Sequence, residues 1–335
     1  MMNYKSLLIT GGTGSFGKAF LKLLLNKYKN FTRIVIFSRD EFKQFELSNT
    51  EIVKKNKKRI RFFIGDIRDK ERLEYAFNGI DVVVHAAALK QVESSEYNPT
   101  EVIKTNINGA QNIIDAAIKT NVKSVIALST DKAVSPINLY GASKLCSDKL
   151  FIAANNVKGK RNIKFSVARY GNVLGSRGSV IPLFLKLKKD KKNFFPITHS
   201  DMTRFWISMD EALEMIVWLI KNQKGGEILI PKIPSSRITD LAKAIDPNKK
   251  HKIIGVKKGE KIHETLISKD DGFNTIELGK YYLVLADKKM FSLYKNCKRL
   301  KNNFSFSSDK NHFLNIKDIK KKISKIQFMN SNEDN

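Results

Sequence analysis

The segment Thr10-Gly11-Gly12-Thr13-Gly14-Ser15-Phe16-Gly17 constrains the fold of this chain most, because of what lies on either side of it. A short apolar run, Ser6–Ile9, precedes it, and an amphipathic stretch, Gly17–Lys29, follows. Glycines at the seam between a strand and a helix allow a tight turn. They also leave N–H groups at the helix N-terminus, where a pyrophosphate can bind. A strand that runs straight into such a turn is not a signal peptide.

The same alternation continues downstream. Ser6–Ile9, Arg33–Phe37, Arg61–Ile64, Val82–His85, Ser124–Leu128 and Phe165–Ala168 read as strands. Gly17–Lys29, Lys70–Phe77, Pro99–Lys119 and Tyr140–Asn155 read as helices between them. This order predicts right-handed βαβ units, hence an α/β fold with a doubly wound parallel sheet. After Arg169 come a glycine-rich loop (Gly171–Gly178), a charged segment (Lys186–Asn193) and a helix (Asp210–Lys221) that returns to the sheet. Residues 1–168 plus about 205–230 are expected to bind a dinucleotide, and 169–204 plus 231–325 to form a smaller C-terminal lobe. Residues 326–335 read as a frayed tail.

No apolar stretch reaches the ~18 residues a membrane span needs. The two cysteines, Cys146 and Cys297, form no framework, so a reducing cytoplasm is the expected location. The five histidines show no metal spacing, which leaves His85 and His263 structural and the metal complement empty. The net charge of +28 could indicate a nucleic-acid partner, but its lysines are scattered and no nucleic-acid-binding signature accompanies them. An anionic substrate suits the charge better.

Two places carry the chemistry. The second strand ends at Ser38-Arg39, where an enzyme specific for NAD usually places a carboxylate for the ribose 2′-hydroxyl. Ser38 and Arg39 suit a 2′-phosphate and favour NADP, although Asp40 or Glu41 turned inward would serve NAD. Asp66 follows the third strand and is placed to meet the adenine, and Ala86 to Ala88 allow close approach after the fourth. The fifth strand leads into Ser129-Thr130-Asp131-Lys132 and then Tyr140-Gly-Ala-Ser-Lys144. Tyrosine and lysine four apart share a helix face. An ammonium beside a phenol lowers its pKa from ~10, so Tyr140 can act as a base. Asp131-Lys132 adds a second acid/base pair at the carboxyl end of a strand, beyond what a simple dehydrogenase needs.

With these pieces in place, the chain resembles the extended short-chain dehydrogenase/reductase family. Within it, the chain is similar to the soluble inverting UDP-N-acetylglucosamine 4,6-dehydratases of pseudaminic acid synthesis. The motifs are GGTGSFGK (11–18), FSRDEFKQ (37–44), RFFIGDIRD (61–69), HAAALK (85–90), STDKA (129–133), PINLYGASKLCSDKL (136–150), RYGNVLGSRGSV (169–180), MTRFW (202–206) and GEKIHE (259–264). Thr-Asp-Lys is the most specific, since dTDP-glucose dehydratases carry Asp-Glu there.

The resemblance implies a Rossmann-like fold and a redox-neutral reaction. Tyr140 removes the 4-hydroxyl proton while hydride leaves carbon 4, with Lys144 lowering the tyrosine pKa and Thr130 bonding the same hydroxyl. Lys132, its pKa depressed by burial and by Lys144, takes the carbon 5 proton, and Asp131 protonates the departing 6-hydroxyl. Hydride returns to carbon 6 and carbon 5 is inverted, giving UDP-2-acetamido-2,6-dideoxy-β-L-arabino-hexos-4-ulose for a surface glycan.

Carried over residue by residue, the cofactor site comprises Gly11, Thr13, Gly14, Ser15, Phe16, Gly17, Ser38, Arg39, Asp40, Glu41, Phe42, Lys43, Asp66, Ile67, Ala86, Lys90, Tyr140 and Lys144. The substrate site comprises Lys90, Asn172, Val180, Thr198, Arg204 and Lys257, with Arg177 a further candidate. Where the family shows Arg-Pro before Gly-Glu-Lys, this chain has Lys257-Lys258, which keeps the charge and loses the fork. A homo-oligomer is implied, a hexamer being one form. The alternatives are a related dehydratase/epimerase of capsule or O-antigen synthesis, and a non-catalytic dinucleotide-binding protein. The intact Thr130, Asp131, Lys132, Tyr140 and Lys144 set argues against the second.

Overall fold

The computed structural model describes residues 4–176, 178–295 and 297–331, with side chains through residue 325. The six apolar runs form β1 (Ser6–Thr10), β2 (Arg33–Ser38), β3 (Ile60–Ile64), β4 (Val82–His85), β5 (Ser124–Thr130) and β6 (Lys164–Tyr170). They lie side by side in the order β3-β2-β1-β4-β5-β6, all parallel, and Glu227–Pro231 adds a further parallel strand beside β6. Every residue of β1 is buried, as expected for a sheet covered by helices on both faces. Successive side chains alternate between the two layers. Leu8 and Val35 pack with Phe77, Ile113 and Phe151, whereas Leu7, Ile9 and Ile34 pack with Phe20, Leu24 and Ile216. Each such side chain contributes about 1.5–3 kcal/mol.

The sheet extends further than the sequence reading allows. Thr275–Leu278, Tyr281–Leu285 and Lys298–Arg299 add antiparallel strands, making ten among the described residues. These residues fall in the segment expected to belong to the lobe. Tyr281 to Leu285 is an apolar run whose hairpin turns through Gly279 (φ +57°), and the run pairs along the whole of Glu227–Pro231.

The lobe has its own core of Phe184, Phe195, Trp206, Ile238, Leu241 and Ile319. Its final helix, Ile316–Ser331, continues past residue 326, where the sequence suggests fraying; residues 332–335 lie outside the described part. Ile319 and Ile323, one turn apart, anchor that helix in the lobe core.

The predicted helix Pro99–Lys119 is interrupted by a π-turn at Ile103–Asn108. The buried Asn106 lies in this turn. Its amide clamps Leu89 through N–H (2.9 Å) and C=O (2.8 Å), and it also reaches Ser143 Oγ at 3.0 Å. Apolar periodicity does not register such a bulge, which commonly marks functional sites.

Candidate active site

A cleft of about 1330 Å³ opens at the carboxyl ends of the strands. β1 lies between β2 and β4, which is the switch point where doubly wound sheets bind ligands. Gly11 has φ +65°, and a Cβ there would stand 2.9 Å from the Ala87 backbone. At Gly17 a Cβ would stand 2.5 Å from Gly12 Cα. The loop therefore packs tightly against its neighbours only as glycine. The following helix, α1 (Ser15–Lys27), has no side-chain cap and no acidic residue in its first turn. These features fit a dinucleotide pyrophosphate.

The neighbouring strand end is organised by hydrogen bonds. Gln44 Nε2 donates to Ser38 Oγ (2.9 Å) and to the Ser38 carbonyl (3.0 Å). Asp40 caps the helix Glu41–Ser48 by accepting from Lys43 N at 2.9 Å, and it also takes the Lys43 ammonium. The lysine hydrogen bonds hold its pKa below the ordinary value. Asp66 is gripped by Arg68 at 2.7 and 2.9 Å and approached by Arg39 at 3.4 Å. Glu41 and Phe42 are exposed and lie outside the cleft wall, whereas the other expected cofactor contacts line it.

The chemical cluster lies where β5 and β6 end. Their pairing runs through Ser129↔Arg169 and Thr130↔Tyr170, and the chain then turns at Asp131–Ala133 into the helix Leu139–Val157, which carries Tyr140 and Lys144. Gly141 is required here, because a Cβ would come within 2.2 Å of the Lys132 carbonyl. Asn138 caps this helix at Gly141 N (2.7 Å) and donates to the Gly259 carbonyl (2.7 Å).

Asp131 is fully buried behind the cleft wall. Its Oδ1 accepts from Thr130 Oγ1 (3.0 Å) and from Lys132 Nζ (3.1 Å), and its Oδ2 has no protein partner. Lys132 Nζ also lies 3.1 Å from Glu264 Oε1. Burial works against the Lys132 ammonium, but the two carboxylates outweigh it and raise its pKa. This corrects the expectation of a depressed value: Lys132 rests protonated between two acids.

Tyr140 also departs from expectation. Burial pushes its phenol up to about 12, and the cation that opposes this most strongly is Lys132, aided by a hydrogen bond with Thr130. Lys144 is buried and its own pKa is lowered by that burial, with Asp148 one turn on opposing the shift.

On the substrate side, Lys90, Asn172, Val180 and Thr198 line the cleft together with Arg204 and Lys257. Arg204 is buried, and its guanidinium donates to the backbone carbonyls of Thr203 (2.7 Å), Ile262 (3.1 Å) and Lys261 (2.9 Å). Arg204, expected among the substrate contacts, thus also holds the chain at Lys261 and Ile262 in place. Lys257 pairs with Glu93 at 2.8 Å across the rim. Arg177 lies outside the described residues. Among the described residues no cluster could hold a metal ion, and no helix is long and apolar enough to cross a membrane.

Three residues here escape sequence reasoning. Glu264 ends the GEKIHE motif, but only its partner Lys132 gives it a role. Asn106 is hidden in the π-turn, and Glu93 sits in a polar segment that reads equally well as a surface helix.

A family model described as "Polysaccharide biosynthesis protein" matches residues 7–286. A Campylobacter jejuni protein named UDP-N-acetylglucosamine 4,6-dehydratase (inverting) is 52% identical over 93% of this chain and 94% of its own length. A Rickettsia bellii protein named UDP-glucose 4-epimerase is 40% identical over 97% of each chain. The crystal structure of Pen from Bacillus thuringiensis superposes with a TM-score of 0.89 at 37% identity, covering 98% of this chain and 99% of that one. The chain therefore belongs to the polysaccharide biosynthesis protein family, within the extended short-chain dehydrogenases/reductases.

Proposed function

We propose that this protein is an inverting UDP-N-acetylglucosamine 4,6-dehydratase that uses NADP and makes UDP-2-acetamido-2,6-dideoxy-β-L-arabino-hexos-4-ulose. The observation that carries this reading is the union of Tyr140, Lys144, Thr130 and Lys132 in the cleft that also holds the glycine loop, with Asp131 just behind its wall and hydrogen-bonded to Thr130 and Lys132. The relative named for that activity supports it at 52% identity. Pseudaminic acid or another surface glycan is the destination of the product, and the cytoplasm, where nucleotide sugars are made, is its place of work. A homo-oligomer is the proposed assembly.

A bound nicotinamide dinucleotide supplies the acceptor, and later the donor, of a hydride. The chain supplies the proton chemistry. Tyr140, with Thr130 beside it, takes the proton of the sugar's 4-hydroxyl. The resulting ketone acidifies carbon 5, whose proton goes to Lys132, and Asp131 protonates the leaving 6-hydroxyl. Asp131 and Lys132 rest as an ion pair at 3.1 Å. Transfer of one proton along that hydrogen bond gives a neutral amine and a neutral acid, the pair the elimination requires. Exclusion of water by the sugar favours this neutral form.

NADP rather than NAD is supported by Ser38 and Arg39 at the end of β2 and by the commitment of Asp40 to its helix cap. Arg39→Ala should weaken NADP binding about 10–100-fold, the effect of one charge-assisted hydrogen bond, and leave NAD binding unchanged. Titration with both dinucleotides checks this, and equal losses would contradict the assignment. The activity itself is tested by proton NMR of the protein with UDP-N-acetylglucosamine and NADP⁺. A new carbon 6 methyl signal without added reductant supports the reading, and its absence removes it.

A further inference from the structure

Lys132 has two carboxylate partners, and the proposed reaction accounts for only one. Asp131 donates a proton to the leaving group, whereas Glu264, at the same 3.1 Å from Nζ, has no task. Glu264 lines the cleft but is almost fully buried (1% exposed), and its Oε2 has no hydrogen-bond partner. A carboxylate kept from water in this way is costly unless it is paired.

Its position is also firmly set from outside the sheet. The Glu264 amide donates to Ser308 Oγ (2.9 Å), the Ser308 amide donates to the Glu264 carbonyl (2.8 Å), and Thr203 Oγ1 meets both Ser308 Oγ (2.7 Å) and His263 Nδ1 (2.9 Å). Arg204 holds the carbonyls of Lys261 and Ile262 just upstream. Lys261 Nζ donates to the Val134 carbonyl at 2.7 Å, tying this segment to the Asp131–Val134 turn. The lobe thereby delivers a single carboxylate to Lys132 through a rigid frame.

We propose that Glu264 is a positioning residue that acts through Lys132: it orients the amine and stabilises the ammonium formed when the carbon 5 proton is taken. This inference rests on the dehydratase reading and assigns a third member to its acid/base pair. In that step the C5–H bond breaks and its proton joins the Nζ lone pair. The electron pair passes into the 4-keto group as an enolate. The 6-hydroxyl then leaves as water with a proton from Asp131. Positive charge grows on Lys132 beside Glu264, which is already in place and needs no reorganisation. The groups facing Lys132 are Asp131, Tyr140, Glu264 and, with opposing sign, Arg204 and Lys261. Of these, Glu264 is the carboxylate with no proton to deliver, and its Oε2 carries only a longer ion pair with Lys261 at 3.8 Å.

The test is Glu264→Gln, which keeps the shape and a hydrogen-bond acceptor but removes the charge. The plateau kcat should fall about 10²-fold, as for loss of one preorganised electrostatic partner. The alkaline limb of the kcat profile should also move to lower pH, because the reactive pair shares one proton and a lysine with one carboxylate fewer loses it more easily. Formation of reduced nicotinamide in the first oxidation should keep its wild-type rate. A purely structural Glu264 predicts an unmoved limb. Wild-type plateau and limb in E264Q would overturn the proposal, whereas a wild-type protein that makes no 6-methyl product would remove the dehydratase reading itself. If E264Q does not fold, Glu264→Asp withdraws the carboxylate by one methylene. A smaller loss and limb shift in the same directions support the proposal, and wild-type values refute it.

Discussion

Lys132→Ala is expected to bind its dinucleotide normally and to oxidise carbon 4, more slowly because Tyr140 loses the cation that lowers its pKa most, yet to form no 6-deoxy product. General bases are worth about 10²–10⁴-fold in rate, and among the described residues no other amine shares the 3.1 Å contacts of Lys132 with both Asp131 and Glu264. The variant also leaves two buried carboxylates facing each other without their cation, a loss of about 3–5 kcal/mol for a broken buried pair. Lys132→Arg separates the two effects. A guanidinium can pair with both acids but does not surrender a proton near neutral pH, so the arginine protein should keep the fold and still fail at elimination. Single-turnover absorbance of the reduced nicotinamide, read beside product NMR, measures both steps. Full turnover by either variant would remove Lys132 from the reaction.

Tyr140→Phe is expected to stop the reaction one step earlier. The phenol is the group placed to take the 4-hydroxyl proton, and burial, rather than a shortage of nearby cations, holds its pKa up to about 12. A buried group with a raised pKa is a strong base once deprotonated, but it is rarely deprotonated at pH 7. Its contribution therefore depends on Lys132, Thr130 and the bound cofactor acting together. Phenylalanine fits the same space and costs only the hydrogen bond with Thr130, about 0.5–1.5 kcal/mol. Stability should therefore barely change, while the first oxidation slows by about 10²–10⁴-fold. Reduced nicotinamide accumulating at the wild-type rate would contradict the role. The two variants thus separate the halves of the cluster: Tyr140→Phe leaves substrate unoxidised, and Lys132→Ala leaves it oxidised but still hydroxylated at carbon 6.

Much of this was legible in the sequence because it is local. The strand, glycine turn and helix at residues 6–27 are contiguous, and their pattern alone places a dinucleotide at the end of β1. Tyr140 and Lys144 are one helical turn apart, and Asp131-Lys132 follows a buried apolar run, so their meeting in one cleft follows from the βαβ order. What was not legible depends on distant pairings. Glu264 lies far along the chain from Lys132, and it joins Asp131 in raising the lysine's pKa against burial. Arg204 stands in the MTRFW motif among the expected substrate contacts, yet its hydrogen-bond partners are backbone carbonyls that no motif specifies. The three antiparallel strands between Thr275 and Arg299 look like lobe material until Glu227–Pro231 offers them an edge. The π-turn at Asn106 leaves the helical pattern of its neighbours intact.

The central claim is that one sugar is oxidised at carbon 4 and reduced at carbon 6 within a single active site, with Asp131 and Lys132 performing the elimination between. UDP-N-acetylglucosamine deuterated at carbon 4, turned over in ordinary water with sub-stoichiometric NADP⁺, tests this most directly. The account predicts a product whose carbon 6 is CH₂D, with the label carried from carbon 4 and carbon 5 bearing a solvent proton. Label lost from the sugar, or a product retaining deuterium at carbon 4 or oxygen at carbon 6, would contradict it.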